Sequence, residues 1–224
     1  MTATPYSAST APFDSQLPVP SRPSRSAWPW WLMTIMSGGT AIYAAHYFLG
    51  RPTGHFGEHF PILLAHITGG SVALLLGPWQ FSTKLRERAL NLHRWLGRIY
   101  LAAVALGSLA GFTLAFFSEE GPPTRFGFGA PAVLWFATGL IAYRRILHGN
   151  IESHRQWMVR NYALTLAAVT LRNELPLMLV ARMQFSHAYV IVSWLCWVPN
   201  LLVAEWLLRR QASQVNHFSP ERVF

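Results

Sequence analysis

Apolar residues along this chain come in six long runs, separated by short segments in which the polar and charged residues collect. The runs are roughly Trp30–Leu49, Pro61–Phe81, Trp95–Phe117, Phe128–Leu147, Met158–Val180 and Ala188–Leu208. Each approaches the ~20 residues that an α-helix needs to cross ~30 Å of hydrocarbon. Lipid offers no partner to an exposed peptide group, so a segment of this length crosses it as a helix. The pattern predicts an all-α integral membrane bundle of six transmembrane helices over residues 28–210. Residues 1–27 are rich in Pro, Ser, Thr and Ala, lack apolar periodicity and read as a disordered cytoplasmic tail. Residues 211–224 form a second cytoplasmic tail. The first run starts too late and is too long for a signal peptide, and reads as an uncleaved anchor.

The net charge of +9 would point to nucleic acid in a soluble protein. Its placement points to a lipid bilayer instead. Arg22 and Arg25 precede the first run, and Lys84, Arg86, Arg88, Arg94 and Arg98 follow the second. Arg144, Arg145, Arg155 and Arg160 lie between the fourth and fifth runs, and Arg209, Arg210 and Arg222 follow the sixth. The opposite loops hold Arg51, Arg125 and Arg182. This asymmetry is the positive-inside pattern of a multi-pass protein of the cytoplasmic (inner) membrane with both termini cytoplasmic. Nucleic acid is not an expected partner.

Two stretches are imperfect copies of each other. His93 to Tyr100 reads HRWLGRIY, and His154 to Tyr162 reads HRQWMVRNY. With one inserted residue both are His-Arg, Trp, Arg, Tyr, and each lies where an apolar run begins. Two helices would then each carry a His at the same depth, which suits a six-coordinate haem iron. Arg94, Arg98, Arg155 and Arg160 offer bidentate forks for propionates. Gly97, one turn beyond His93, leaves room beside a ring. The alternative is that basic residues, Trp and Tyr gather here as headgroup anchors.

A second polar group lies toward the outer side. His66 is under ~10 Å deep in the second run, and Arg172, Asn173 and Glu174 reach a similar level from the inner edge, ~21 Å along the fifth. Ionisable groups at such depth are functional candidates by default. The face that His66 shares with Gly69, Gly70, Ala73 and Gly77 lets a helix or a flat ligand approach closely. Arg172 and Glu174 are two apart and do not face each other on a helix. Pro176 removes the amide that would bond the carbonyl of Arg172. His66, Arg172 and Glu174 are expected to share one pocket; tight structural packing is the competing reading. His46, His55, His59 and His187 fall on the outer side and His148 on the inner, where solvated loop histidines are expected. The lone Cys196 forms no internal disulfide.

The stretches HITGGSVALLLGPWQF, NLHRWLGRIY and AYRRILHGNIESHRQWMVRNYALTLAAVTLRNELPL resemble the bacterial membrane-protein family called domain of unknown function 2306. The stretch LHRWLG is also similar to the third-helix His motif of transmembrane dihaem cytochromes b that use ascorbate or quinol. That resemblance implies haem b, with His66 matching the second-helix ligand, His93 the third and His154 the fifth. The fourth run contains no His, which departs from the dihaem pattern on the outer side. The sequence therefore supports an electron-transfer protein with an inner haem held by His93 and His154, exchanging electrons with a redox partner or quinone. A cofactor-free transporter or assembly and signalling subunit, with an intramembrane polar site at His66, Arg172 and Glu174, stays open beside it, as does a membrane enzyme acting on a lipid or quinone.

Overall fold

The computed structural model describes residues 28–50 and 58–217. The tails expected over residues 1–27, the end of the chain beyond 217, His55 and Arg51 lie outside the described residues. Among the described residues every regular element is helical. They are α1 (Trp28–Ala44), followed by a 3-10 turn (Ala45–Phe48), α2 (Phe60–Gln80), a short α3 (Thr83–Arg88), α4 (Leu90–Phe116), α5 (Pro122–Leu147), α6 (Ile151–Thr165), α7 (Ala167–Val180), α8 (Phe185–Leu195) and α9 (Val198–His217).

Five segments are long and apolar enough to cross a membrane: Phe60–Gln80, Leu90–Phe116, Pro122–Leu147, Ile151–Val180 and Phe185–Ser213. They correspond to the second through sixth apolar runs. The first run differs, because α1 spans only 17 residues before tightening into the 3-10 turn. At 1.5 Å per residue that is ~25 Å of α-helix, short of the hydrocarbon thickness, and the 3-10 turn that continues it adds ~8 Å at ~2.0 Å per residue.

Helix starts also lie further out than the apolar runs. α4 begins five residues before Trp95 and α5 begins at Pro122, with prolines filling its first turn, where a missing amide costs nothing. The fifth and sixth runs each carry a break. Between α6 and α7, the Thr165 hydroxyl bonds the carbonyl of Asn161 at 3.1 Å, a back-bond that bends helices. Between α8 and α9, Pro199 lacks the amide that would bond the carbonyl of Leu195. Pro176, by contrast, sits inside an unbroken α7.

α2, α4, α5 and α6 pack side by side in that order, with α1 against α2 and α7, α8 against α5 and α7, and α9 against α6. Small residues set the spacing. A Cβ on Gly69 would come within 2.5 Å of the Ala103 carbonyl oxygen and 2.7 Å of Gly107 Cα, so α2 and α4 meet backbone to backbone. The core gathers Tyr100, Val104, Trp135, Met158, Tyr162, Val192 and Trp197. Large apolar side chains such as Ile42, Leu109, Phe126 and Val180 remain exposed on the outside, as lipid contact requires.

Candidate functional site

The duplicated motif keeps its register in space from the tryptophan onward. The guanidinium of Arg98 lies 5.2 Å from the centre of the Trp95 ring, and that of Arg160 lies 4.8 Å from the Trp157 ring. In each copy Trp and Arg are three apart and stack on the helix surface. The tyrosine two residues further on turns ~200° from the arginine, at ~100° per residue. It therefore points inward. Tyr100 and Tyr162 are both buried. Their hydroxyls serve the bundle interior rather than the headgroups, which corrects the anchor reading for these two residues.

Tyr100 is the hub of a polar network joining three helices. Its hydroxyl donates to Asn161 Oδ1 at 2.7 Å and lies 3.0 Å from Thr165 Oγ1. Trp135 Nε1 donates to Thr165 Oγ1 at 2.9 Å. Asn161 Nδ2 donates to the carbonyl of Trp135 and to Thr138 Oγ1. Tyr162 makes a simpler bond, 2.9 Å to Ser37 on α1, with its ring pressed against Gly77.

The histidines of the motif sit about two helical turns outside these tyrosines. His154 on α6 bonds through Nδ1 to the carbonyl of Ala142 on α5 at 2.9 Å, which leaves Nε2 free. His93, in the first turn of α4, is half-buried and lies within electrostatic range of His154, Arg86 and Arg94. Its Nδ1 is buried without a hydrogen-bond partner. Gln80, at the end of α2, was not singled out from the sequence. It is buried, its Oε1 lies 3.2 Å from where a Cβ on Gly97 would stand, and its Nε2 also lacks a partner. Two unpartnered buried nitrogens thus flank the turn His93–Gly97.

The four arginines separate. Arg160 holds Glu205 of α9 through two hydrogen bonds, with Nη2 donating to Oε2 at 3.1 Å. Arg155 bonds Gln211 at 2.8 Å and pairs with Glu152 at 3.6 Å. Arg98 lines a groove between α4 and α5, and Arg94 is exposed. Among the described residues neither Arg94 nor Arg98 has a carboxylate partner.

On the opposite side, His66 Nδ1 bonds the carbonyl of Gly107 at 2.7 Å, with its ring against Gly111. His66 and Arg172 line one small cavity of about 30 Å³ together with Thr40, Ser71 and Gly70. Glu174 and Asn173 do not line it. Asn173 turns back to the carbonyl of Val169 at 2.8 Å, and Glu174 Oε2 is buried without a partner, in electrostatic range of Cys196. Two residues along a helix is more than half a turn, so one cavity takes Arg172 and not Glu174. The expected three-residue pocket is therefore a His66–Arg172 pair.

The remaining histidines are local. His46 and His148 bond the carbonyls of Tyr43 and Arg144, and His59 stacks on Phe117. His187 lies in the first turn of α8 rather than in a loop. Cys196 is a buried free thiol at the α8–α9 break. Among the described residues no three His, Cys, Asp or Glu side chains converge as a tetrahedral metal site requires.

No curated protein and no solved structure matches this chain. The profile of a family described as predicted membrane protein (DUF2306) matches residues 63–208, which is more than half of the chain and takes in both copies of the motif and both polar sites. The chain belongs to this family.

Proposed function

We propose that the protein is a six-span electron carrier of the cytoplasmic membrane, with both termini cytoplasmic, that holds a b-type haem between His93 and His154. One observation carries the reading: two buried nitrogens, His93 Nδ1 and Gln80 Nε2, have no partner around the turn His93–Gly97, and His93 lies in electrostatic range of His154, whose imidazole is tethered through Nδ1. Buried polar atoms are paired in more than about 90% of cases, so two orphans in one place speak for an absent ligand. A carbonyl on Nδ1 is the usual way in which a metal-binding imidazole is oriented.

The donor set fits haem, because neutral imidazole from two helices is what a six-coordinate iron takes. Arg155 and Arg160 are engaged, and of the two arginines without a carboxylate partner among the described residues, Arg94 and Arg98, we assign a propionate to Arg94, which adjoins His93 in the chain. When bound, the haem would supply one-electron chemistry. The chain's own part is to hold the ligands, exclude water with the Tyr100 network and contact a quinone or protein redox partner. The experiment is haem quantification on full-length protein purified from haem-sufficient cells. Near-stoichiometric haem b is expected in the wild type and in His66→Ala, with loss in His93→Ala and His154→Ala. A folded wild type without haem, or retention in both inner variants, overturns the reading.

The cofactor-free reading has its own observation, the cavity shared by His66 and Arg172. At about 30 Å³ it accommodates roughly one water, which would bridge an imidazole and a guanidinium at membrane depth. Haem-free protein in which His66→Ala alone abolishes a transport or assembly phenotype would favour it.

A further inference from the structure

A second feature lies on the lipid side of α4. A groove of about 360 Å³ runs between α4 and α5, lined by Leu101, Ala102, Ala105, Phe136, Gly139 and Leu140. Arg98 and Tyr143 line it as well. The two helices are antiparallel neighbours, so Arg98 and Tyr143 share one end and Ala105 and Phe136 the other. Seven residues separate the ends on each helix, which makes the trough ~10 Å long. Its depth comes from the small side chains of Ala102, Ala105 and Gly139. Behind Gly139 the wall is closed, since a Cβ there would meet Asn161 Nδ2 at 3.3 Å and Val104 at 3.4 Å.

The mouth is cationic. Arg98 is exposed, braced on Trp95, and without a carboxylate partner among the described residues. Tyr143 adds an exposed phenol. Arg144, next along α5, is exposed too. A basic mouth opening onto an apolar trough between two membrane helices matches an anionic amphiphile: phosphate on the guanidinium and phenol, acyl chain in the trough. We propose that this groove is a binding site for an anionic glycerophospholipid. It is independent of the haem reading, because it uses neither His93 nor His154 and leaves Arg94 free.

The test is native mass spectrometry of the full-length protein in detergent, with phosphatidylglycerol and phosphatidylcholine of identical acyl chains in equal amounts. The wild type should retain phosphatidylglycerol at least several-fold over phosphatidylcholine. Arg98→Gln should abolish that preference, whereas Arg210→Gln, on α9 and away from the groove, should keep it. Ala105→Phe fills the trough without touching the charge and should reduce adducts of both lipids, which keeps the proposal testable if Arg98→Gln does not fold. Equal retention of the two lipids by the wild type overturns it. So does an undiminished preference in Arg98→Gln, or an isoprenoid quinone that displaces the phospholipid from the wild type and binds Arg98→Gln equally well.

Discussion

Replacing Tyr100 by Phe tests whether the inward tyrosine of the first motif copy holds the bundle together. The substitution keeps the ring and removes one oxygen. Asn161 Oδ1 then loses the donor at 2.7 Å, and no other donor reaches it among the described residues. Thr165 loses a neighbour at 3.0 Å but keeps Trp135 Nε1 and the Asn161 carbonyl. Interhelical hydrogen bonds in membranes contribute about 0.6 kcal/mol on average and ~1.7 at most. An orphaned buried acceptor costs about 1–3 kcal/mol. Since Asn161 is fully buried and held by two further bonds through Nδ2, it has little freedom to re-pair. The expected loss is about 1–3 kcal/mol, or roughly 2–12 °C in melting temperature at ~2–4 °C per kcal/mol. Tyr162→Phe removes a single bond, and Ser37 on α1 can turn back to its own helix, so its loss should be smaller, about 1 kcal/mol or less. The assay is thermal unfolding of detergent-purified protein followed by the surviving monodisperse fraction. If Tyr100→Phe melts with the wild type, or if Tyr162→Phe is the more damaging, the network does not carry the stability assigned to it.

Three other outcomes are expected. Gly69→Ala places a methyl against backbone that cannot give way and should destabilise the α2–α4 contact by about 1–3 kcal/mol in the same melting assay. Gly111→Ala brings a Cβ to 2.7 Å from His66 Nδ1; it should destabilise the wild type yet cost clearly less in a His66→Ala background, a coupling read from a double-mutant cycle. Reporter fusions after Gly121 should report the outer side and fusions at Phe224 the cytoplasmic side, and the reverse result would overturn the membrane map built on the charge asymmetry.

The membrane helices were legible in the chain because lipid imposes a length and a polarity that a run of apolar residues reports directly. Their starts were not. The first turns of α4, α5 and α6 mix polar residues with apolar ones or proline and reach beyond the apolar stretch, so no hydropathy signal marks Leu90, Pro122 or Ile151. The break at Leu166 has no distinct mark in the sequence, because a hydroxyl back-bond like that of Thr165 also occurs at Thr68 and Thr113 inside unbroken helices. The motif copies were visible as residues, but their meaning divides: Trp95 stays at the surface at 61% exposure while Tyr100 is fully buried. Helical spacing alone separates them, two residues beyond the arginine. That Arg172 and Glu174 face different ways was legible from their spacing, but which of them joins His66 was set by the helices that pack there and so by the fold. Gln80 escaped notice because a single Gln between Trp79 and Phe81 reads as a helix end; only its burial against Gly97 gives it a role.

The central claim, a haem between His93 and His154, meets its most direct test in the visible spectrum of the wild-type protein. Full-length chain purified in mild detergent from haem-sufficient cells should show a Soret band and, on reduction with dithionite, the sharp bands of a low-spin, six-coordinate haem. A colourless protein that is monodisperse and melts cooperatively would contradict the claim.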